Sequence, residues 1–147
     1  MILSNTCKYG IRAVIYLALN DGENIKIGIK EISKNLNIPT PFLGKIMQLM
    51  AKHKVLTSTK GPHGGFGLGK KAKDITLYDI VKVIDGDDVF TTCLISVNSC
   101  ERDDKDEKHC PVHKDFDPIR QQIIAFFKEK NIQTLVDNVV NDKNIVL

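Results

Sequence analysis

No run of apolar residues in this 147-residue chain approaches the roughly 18 that a membrane-spanning helix needs, so a helical membrane protein is excluded. The opening segment MILSNTCKYG lacks the long apolar region and small-residue cleavage site of a secretory signal, which makes the cytoplasm the expected compartment. Nucleotide loops are missing too. There is no G-x4-G-K-[ST] stretch and no glycine fingerprint opening a helix after a strand. No nucleophile–base set is discernible, so the chain does not read as an enzyme. Cysteine is scarce, at four residues, and none forms the tight C-x2-C pair that most strongly signals a metal. In a reducing compartment the few thiols present are better read as ligands or sensors than as disulfides.

What is present points to one compact domain: a composition 42% hydrophobic and 27% charged is enough for a core with a solvated surface. The net charge of +3 hides a division. Residues 1–73 carry 12 Lys/Arg against 3 Asp/Glu, whereas residues 74–147 carry 9 against 15. A basic front half is the footprint of nucleic-acid binding, because phosphate neutralisation supplies much of that affinity. The competing account is a solvated lysine-rich surface.

Apolar spacing organises that front half. Tyr9, Ala13, Tyr16 and Leu17 recur at helical intervals and predict a helix over 3–19, ended by Asn20-Asp21-Gly22. Cys7 lies on this helix and reads as a small packed thiol. An extended piece, Asn24–Ile27, leads to a helix over 29–36. Asn37-Ile38-Pro39 breaks it, since proline disfavours helix in the residue before it. A third helix follows over 40–53, with Phe42, Leu43, Ile46, Leu49 and Met50 on one face. Two short helices joined by a tight turn suit a helix-turn-helix, although a buried helical hairpin in another fold would show the same pattern. Thr40, Pro41, Lys45, Gln48 and Lys52 point outward, where side chains reach bases or phosphates.

Strands at 55–58 and 66–68 then flank Thr59-Lys60-Gly61-Pro62-His63-Gly64-Gly65, a turn-rich tip bearing Lys60 and His63. A basic hairpin after a helix-turn-helix is a wing. The fold class expected is therefore mainly α with a small β-hairpin wing (α+β), a winged helix-turn-helix domain with an appended dimerisation helix. Beyond the wing, Thr76 and Asp79 form a capping box for a helix bearing Leu77, Ile80, Val81 and Ile84, closed by Gly86. Three cysteines and a histidine follow as C-x6-C-x9-C-x2-H, at Cys93, Cys100, Cys110 and His113. Three thiolates and an imidazole on a polar loop suit an iron–sulfur cluster or zinc, while scattered exposed thiols are the alternative. Asp117-Pro118 has the chemistry of a helix start, as N-cap and first residue, ahead of Ile119, Ile123, Ile124, Phe126 and Phe127. Asn131 caps a last helix with Ile132, Leu135, Val136, Val139 and Val140.

YGIRAVIYLALN, the EIS-x3-NIP turn, FLGKIMQLMAKHKVL and above all STKGPHGGFGLGKKAKDITLYDIVKVIDG resemble the IscR/NsrR/CymR type of bacterial winged-helix transcription regulators, from Met1 to about Val140. The resemblance implies a DNA-binding domain over 1–86, a cysteine-rich loop over 87–113 and dimerisation and C-terminal helices over 114–147. It implies a homodimer on a pseudo-palindromic operator, with the apolar C-terminal segment pairing across the two-fold axis and against the partner's first helix. Thr40, Pro41, Lys45 and Gln48 would serve the major groove, Lys60 and His63 the wing, and Lys8 and Arg12 the phosphate backbone. Cys93, Cys100 and Cys110 align with a three-cysteine ligand set and His113 with its C-x2-H partner, implying a [2Fe–2S] cluster, with [4Fe–4S] as the alternative. His109 is a weaker fourth ligand. The protein so implied is a repressor sensing redox, nitric oxide or iron–sulfur status, its cysteine loop lying against the dimerisation helix and the back of the recognition helix. Rival readings are a clusterless regulator controlled by thiol oxidation or a partner protein, and an electron-transfer protein. Two residues depart from the pattern. Gly44 stands where many relatives carry a larger polar side chain, and Lys8 where some carry a carboxylate ligand.

Overall fold

A computed structural model describes residues 3–21, 25–95 and 110–147. Its elements are α1 (Asn5–Leu19), α2 (Ile29–Leu36), α3 (Thr40–Lys52), β1 (Leu56–Thr59), β2 (Gly65–Leu68), α4 (Leu77–Ile84), α5 (Asp88–Thr91), α6 (His113–Glu129) and α7 (Ile132–Asn141), with a 3₁₀ turn at Ala72–Asp74. The first three helices and the hairpin fall where periodicity predicts them. Ala13, Val14 and Leu17 of α1 pack with Ile32 and Leu36 of α2, Leu43, Met47 and Met50 of α3, and Leu56 and Phe66 of the hairpin. Tyr9 meets Phe42 edge-on at 5.8 Å, fixing α1 across α3.

The turn between α2 and α3 is built by specific bonds. Asn37 adopts the left-handed conformation (φ 54°) and ends α2, a role in which asparagine costs less than most residues. Ser33 Oγ donates to the Ile38 carbonyl at 2.5 Å, and Thr40 Oγ1 donates to Ser33 Oγ at 2.8 Å. One serine therefore sets the angle at which α3 leaves the turn.

In the wing, β1 and β2 pair antiparallel, Leu56 opposite Leu68 and Thr59 opposite Gly65. Ile27 adds a bridge on the far side of β2, its amide and carbonyl each bonded to Phe66 at 2.9 Å. The extended piece before α2 is thus a third, one-residue strand that anchors the hairpin; its residue Asn24 lies outside the described residues.

At the other end, the capping box of α4 forms as expected, Thr76 accepting from the Asp79 amide and Asp79 from the Thr76 amide. Asn131 accepts from the Thr134 amide and starts α7. Leu77 N–H donates to the Lys130 carbonyl and Ile132 N–H to the Ile75 carbonyl, both at 2.9 Å, so the starts of α4 and α7 are bonded together. This holds α7 against α1 and buries Ile132 completely.

Two expectations are corrected. Helix α6 begins at His113, not at Asp117-Pro118, and Pro118 lies inside it. The Asp117 carboxylate does not cap; it stands 3.6 Å from Arg120, one turn on. Pro118 in the second turn removes one amide, whose acceptor would be the carbonyl of exposed Lys114, where water can replace it. Arg12 is not a backbone-contacting surface cation. Its guanidinium donates to the Leu36 carbonyl at 3.1 Å and the Leu147 carbonyl at 3.2 Å, clamping α1 to the end of α2 and to the chain terminus.

Candidate nucleic-acid interface and thiol site

Helix α3 presents Pro41, Lys45, Gln48 and Lys52 to solvent while burying Leu43, Ile46, Met47 and Met50. Thr40 is half-buried, because its hydroxyl is bonded to Ser33. Lys60 and His63 are exposed on the wing tip. Between wing and helices runs an open groove of about 560 Å³. Gln48 lines it from α3, Lys60 from the wing, and Lys30 from the first turn of α2. The structure therefore brings Gln48 and Lys60 to one groove. Lys30 was not singled out by sequence reasoning, although its place at the start of a short amphipathic helix in a basic half was a usable signal.

The thiol site lies on the other side of α4. Phe90 of α5 stacks on Tyr78 of α4 with ring centres 4.7 Å apart and meets Phe127 of α6 edge-on at 5.5 Å. Beside this aromatic cluster Arg120 is buried to 8% exposure, donates to the Thr92 carbonyl at 3.3 Å and lies over the Phe116 ring at 5.1 Å. It holds the backbone next to Cys93 against α6. Arg120 was missed from sequence, yet Phe116, Arg120, Ile123 and Phe127 share one helical stripe, which placed a charge on the buried face.

Cys93 is buried and Cys110 half-buried, and the Cys93 thiol donates to the Cys110 sulfur at 3.3 Å although 17 positions separate them. Two sulfurs on one tetrahedral metal, each about 2.3 Å from it, stand about 3.8 Å apart, so this pair fits a shared iron after widening by about half an ångström. His113 opens α6, its amide bonded to the Cys110 carbonyl at 3.0 Å. Among the described residues no three His, Cys, Asp or Glu side chains gather into a metal-holding group. Cys100 and His109 lie outside the described residues. Cys7 is set apart, fully buried in α1, its thiol pushed up to about 12 by burial and by the nearby Asp85 carboxylate. It is the packed, inert thiol that its helical position suggested.

A family model described as "Rrf2: Iron-dependent Transcriptional regulator" matches residues 3–138. The chain belongs to the Rrf2 family. It is 36% identical over 137 residues to an HTH-type transcriptional regulator of Aquifex aeolicus, covering 93% of this chain and 92% of that one. It is 25% identical over 138 residues to the HTH-type transcriptional regulator IscR of Klebsiella pneumoniae, covering 94% and 81%. Among solved structures, CymR, the global cysteine regulator of B. subtilis, superposes with a TM-score of 0.74 at 20% identity, covering 92% of this chain and 96% of that one. Membership in the Rrf2 family makes the chain a DNA-binding transcription regulator and not an enzyme, and its fold is the winged helix of those regulators. No helix among the described residues is long and apolar enough to cross a membrane.

Proposed function

We propose that this Rrf2 regulator is a homodimeric repressor whose operator affinity is set by an iron–sulfur cluster held by Cys93, Cys100, Cys110 and His113. The observation that carries the reading is the meeting of Cys93 and Cys110 at 3.3 Å, with the third cysteine, Cys100, between them in sequence. The family's iron-dependent description supports it. The cluster, [2Fe–2S] on a three-cysteine, one-histidine set, would supply redox-sensitive ligation with the imidazole as the labile ligand.

The chain's own residues connect that ligation to DNA. Cys93 follows α5, whose end Arg120 fastens to α6. Helix α4 packs against both α6 and α3, so a change of order at Cys93 reaches the recognition helix through it. Helix α6 leaves Ile119 and Phe126 half-exposed beside a depression of about 370 Å³, an apolar face for a second copy of the chain. We assign the pairing face to this helix because α7 turns Ile132, Leu135 and Val136 towards the core. Two recognition helices spaced by that interface would read half-sites one helical turn apart, an arrangement steeply sensitive to small shifts. A coupling of about 1–3 kcal/mol changes affinity roughly 5- to 150-fold.

Anaerobically reconstituted protein should be red-brown, and Cys93→Ala or Cys110→Ala should abolish its visible absorption. Colourless, iron-free protein after reconstitution would remove the cluster from the reading and leave the DNA-binding fold. For the DNA face, Pro41, Lys45 and Gln48 would meet the major groove and Lys60 and His63 the flanking backbone, with Thr40 tied to the turn. Lys45→Ala with Lys60→Ala should lower affinity for the protein's own promoter about tenfold or more and flatten the slope of log affinity against log salt by about 2, close to one per lost phosphate contact. An unchanged salt slope would remove both lysines from the interface.

A further inference from the structure

We propose that Cys93 and Cys110 form a dithiol–disulfide site that is oxidised by low-molecular-weight disulfides such as glutathione disulfide. Their sulfurs, 3.3 Å apart, need to approach by little more than an ångström to reach the bond length of about 2.05 Å. No large movement of α5 or α6 is needed, since one side chain already donates its thiol hydrogen to the other sulfur.

Unequal access assigns the order of events. Cys110 is half-buried at the start of the segment leading into α6, whereas Cys93 is only 7% exposed. Cys110, as thiolate, attacks one sulfur of the external disulfide, forming a mixed disulfide and releasing one thiol. The Cys93 sulfur, already in contact with Cys110, then attacks the Cys110 sulfur of that mixed bond and expels the second thiol. The protein loses two electrons and two protons, and one external disulfide becomes two thiols. Cys7 takes no part, being fully buried within α1.

The new bond would join the end of α5 to the start of α6 beside the Arg120–Thr92 contact, tightening a junction the fold already holds. The pairing itself needs no cluster, so it stands or falls separately from the proposed iron site. Were that site also present, the oxidised chain would have two of its ligands committed elsewhere and would take up no iron until reduced.

The test uses the full-length, iron-free, reduced protein, incubated with glutathione disulfide under anaerobic conditions and mapped by peptide mass spectrometry without reductant. The expected product is a monomeric chain lighter by about 2 Da, with Cys93 linked to Cys110. Cys100→Ser should give the same linkage, and Cys93→Ser should stop with a glutathione adduct on Cys110. Linkage through Cys100, a disulfide between chains, or an adduct that never closes in the unsubstituted protein would each overturn the proposal. A chain that binds no iron yet forms the Cys93–Cys110 bond would uphold it while disproving the cluster.

Discussion

A chain carrying Ile119→Asp and Phe126→Asp should run as a monomer and bind operator DNA about 100-fold more weakly. Linking two binding modules multiplies affinity by 10² to 10⁴, and losing the link forfeits that factor. Both side chains are about half-exposed in the single chain, at 51% and 50%, so carboxylates there need not disturb the core. In a paired interface the same carboxylates would face apolar surface and each other. Light scattering reads the mass, and a thermal melt shows whether the subunit is intact. An unchanged dimer mass, or full operator affinity from a monomer, would move the pairing surface away from α6.

Gly65→Ala should destabilise the protein by about 2–4 kcal/mol and weaken DNA binding through the wing. Gly65 has φ +149°, and a Cβ there would come within 2.4 Å of the Ile27 carbonyl oxygen and 2.6 Å of its carbon. These are backbone atoms, so nothing flexible can yield. The bridge from Ile27 to Phe66 would have to open, releasing two bonds of 2.9 Å and the anchor that joins the hairpin to the start of α2. A fall of roughly 10 °C in the melting temperature is expected. Gly44→Ala is the opposite case. Its Cβ would meet nothing within 4 Å, and in the interior of α3 alanine should stabilise by up to about 1 kcal/mol. If both variants melted alike, backbone crowding at Gly65 would not be what requires glycine there.

The elements of the DNA-binding half were legible in the residues because their causes are local. Apolar side chains at helical spacing mark α1, α2 and α3, Asn37-Ile38-Pro39 stops α2, and glycines with Lys60 and His63 make the wing tip. The same holds for the Thr76–Asp79 capping box and for Asn131. The start of α6 was misread for a reason that spacing cannot carry. Asp117-Pro118 has the composition of a helix start, but Arg120 engages the Asp117 carboxylate and also the Thr92 carbonyl, 28 residues back. That second contact, together with the stack on Phe116, ties a longer helix to α5. Arg12 was misread likewise: its acceptors lie 24 and 135 positions away.

By itself the sequence determined a basic winged helix-turn-helix, because helix periods, turn residues and charge are properties of neighbouring residues. Tertiary structure alone decided that Ile119 and Phe126 of α6 stay uncovered and that Cys93 meets Cys110. Bonds at Leu77 and Ile132 draw α7 onto α1, leaving the face of α6 uncovered. The Phe90–Phe127 contact and the Arg120 clasp then bring α5 against α6, and it is that packing of distant segments which sets Cys93 beside Cys110.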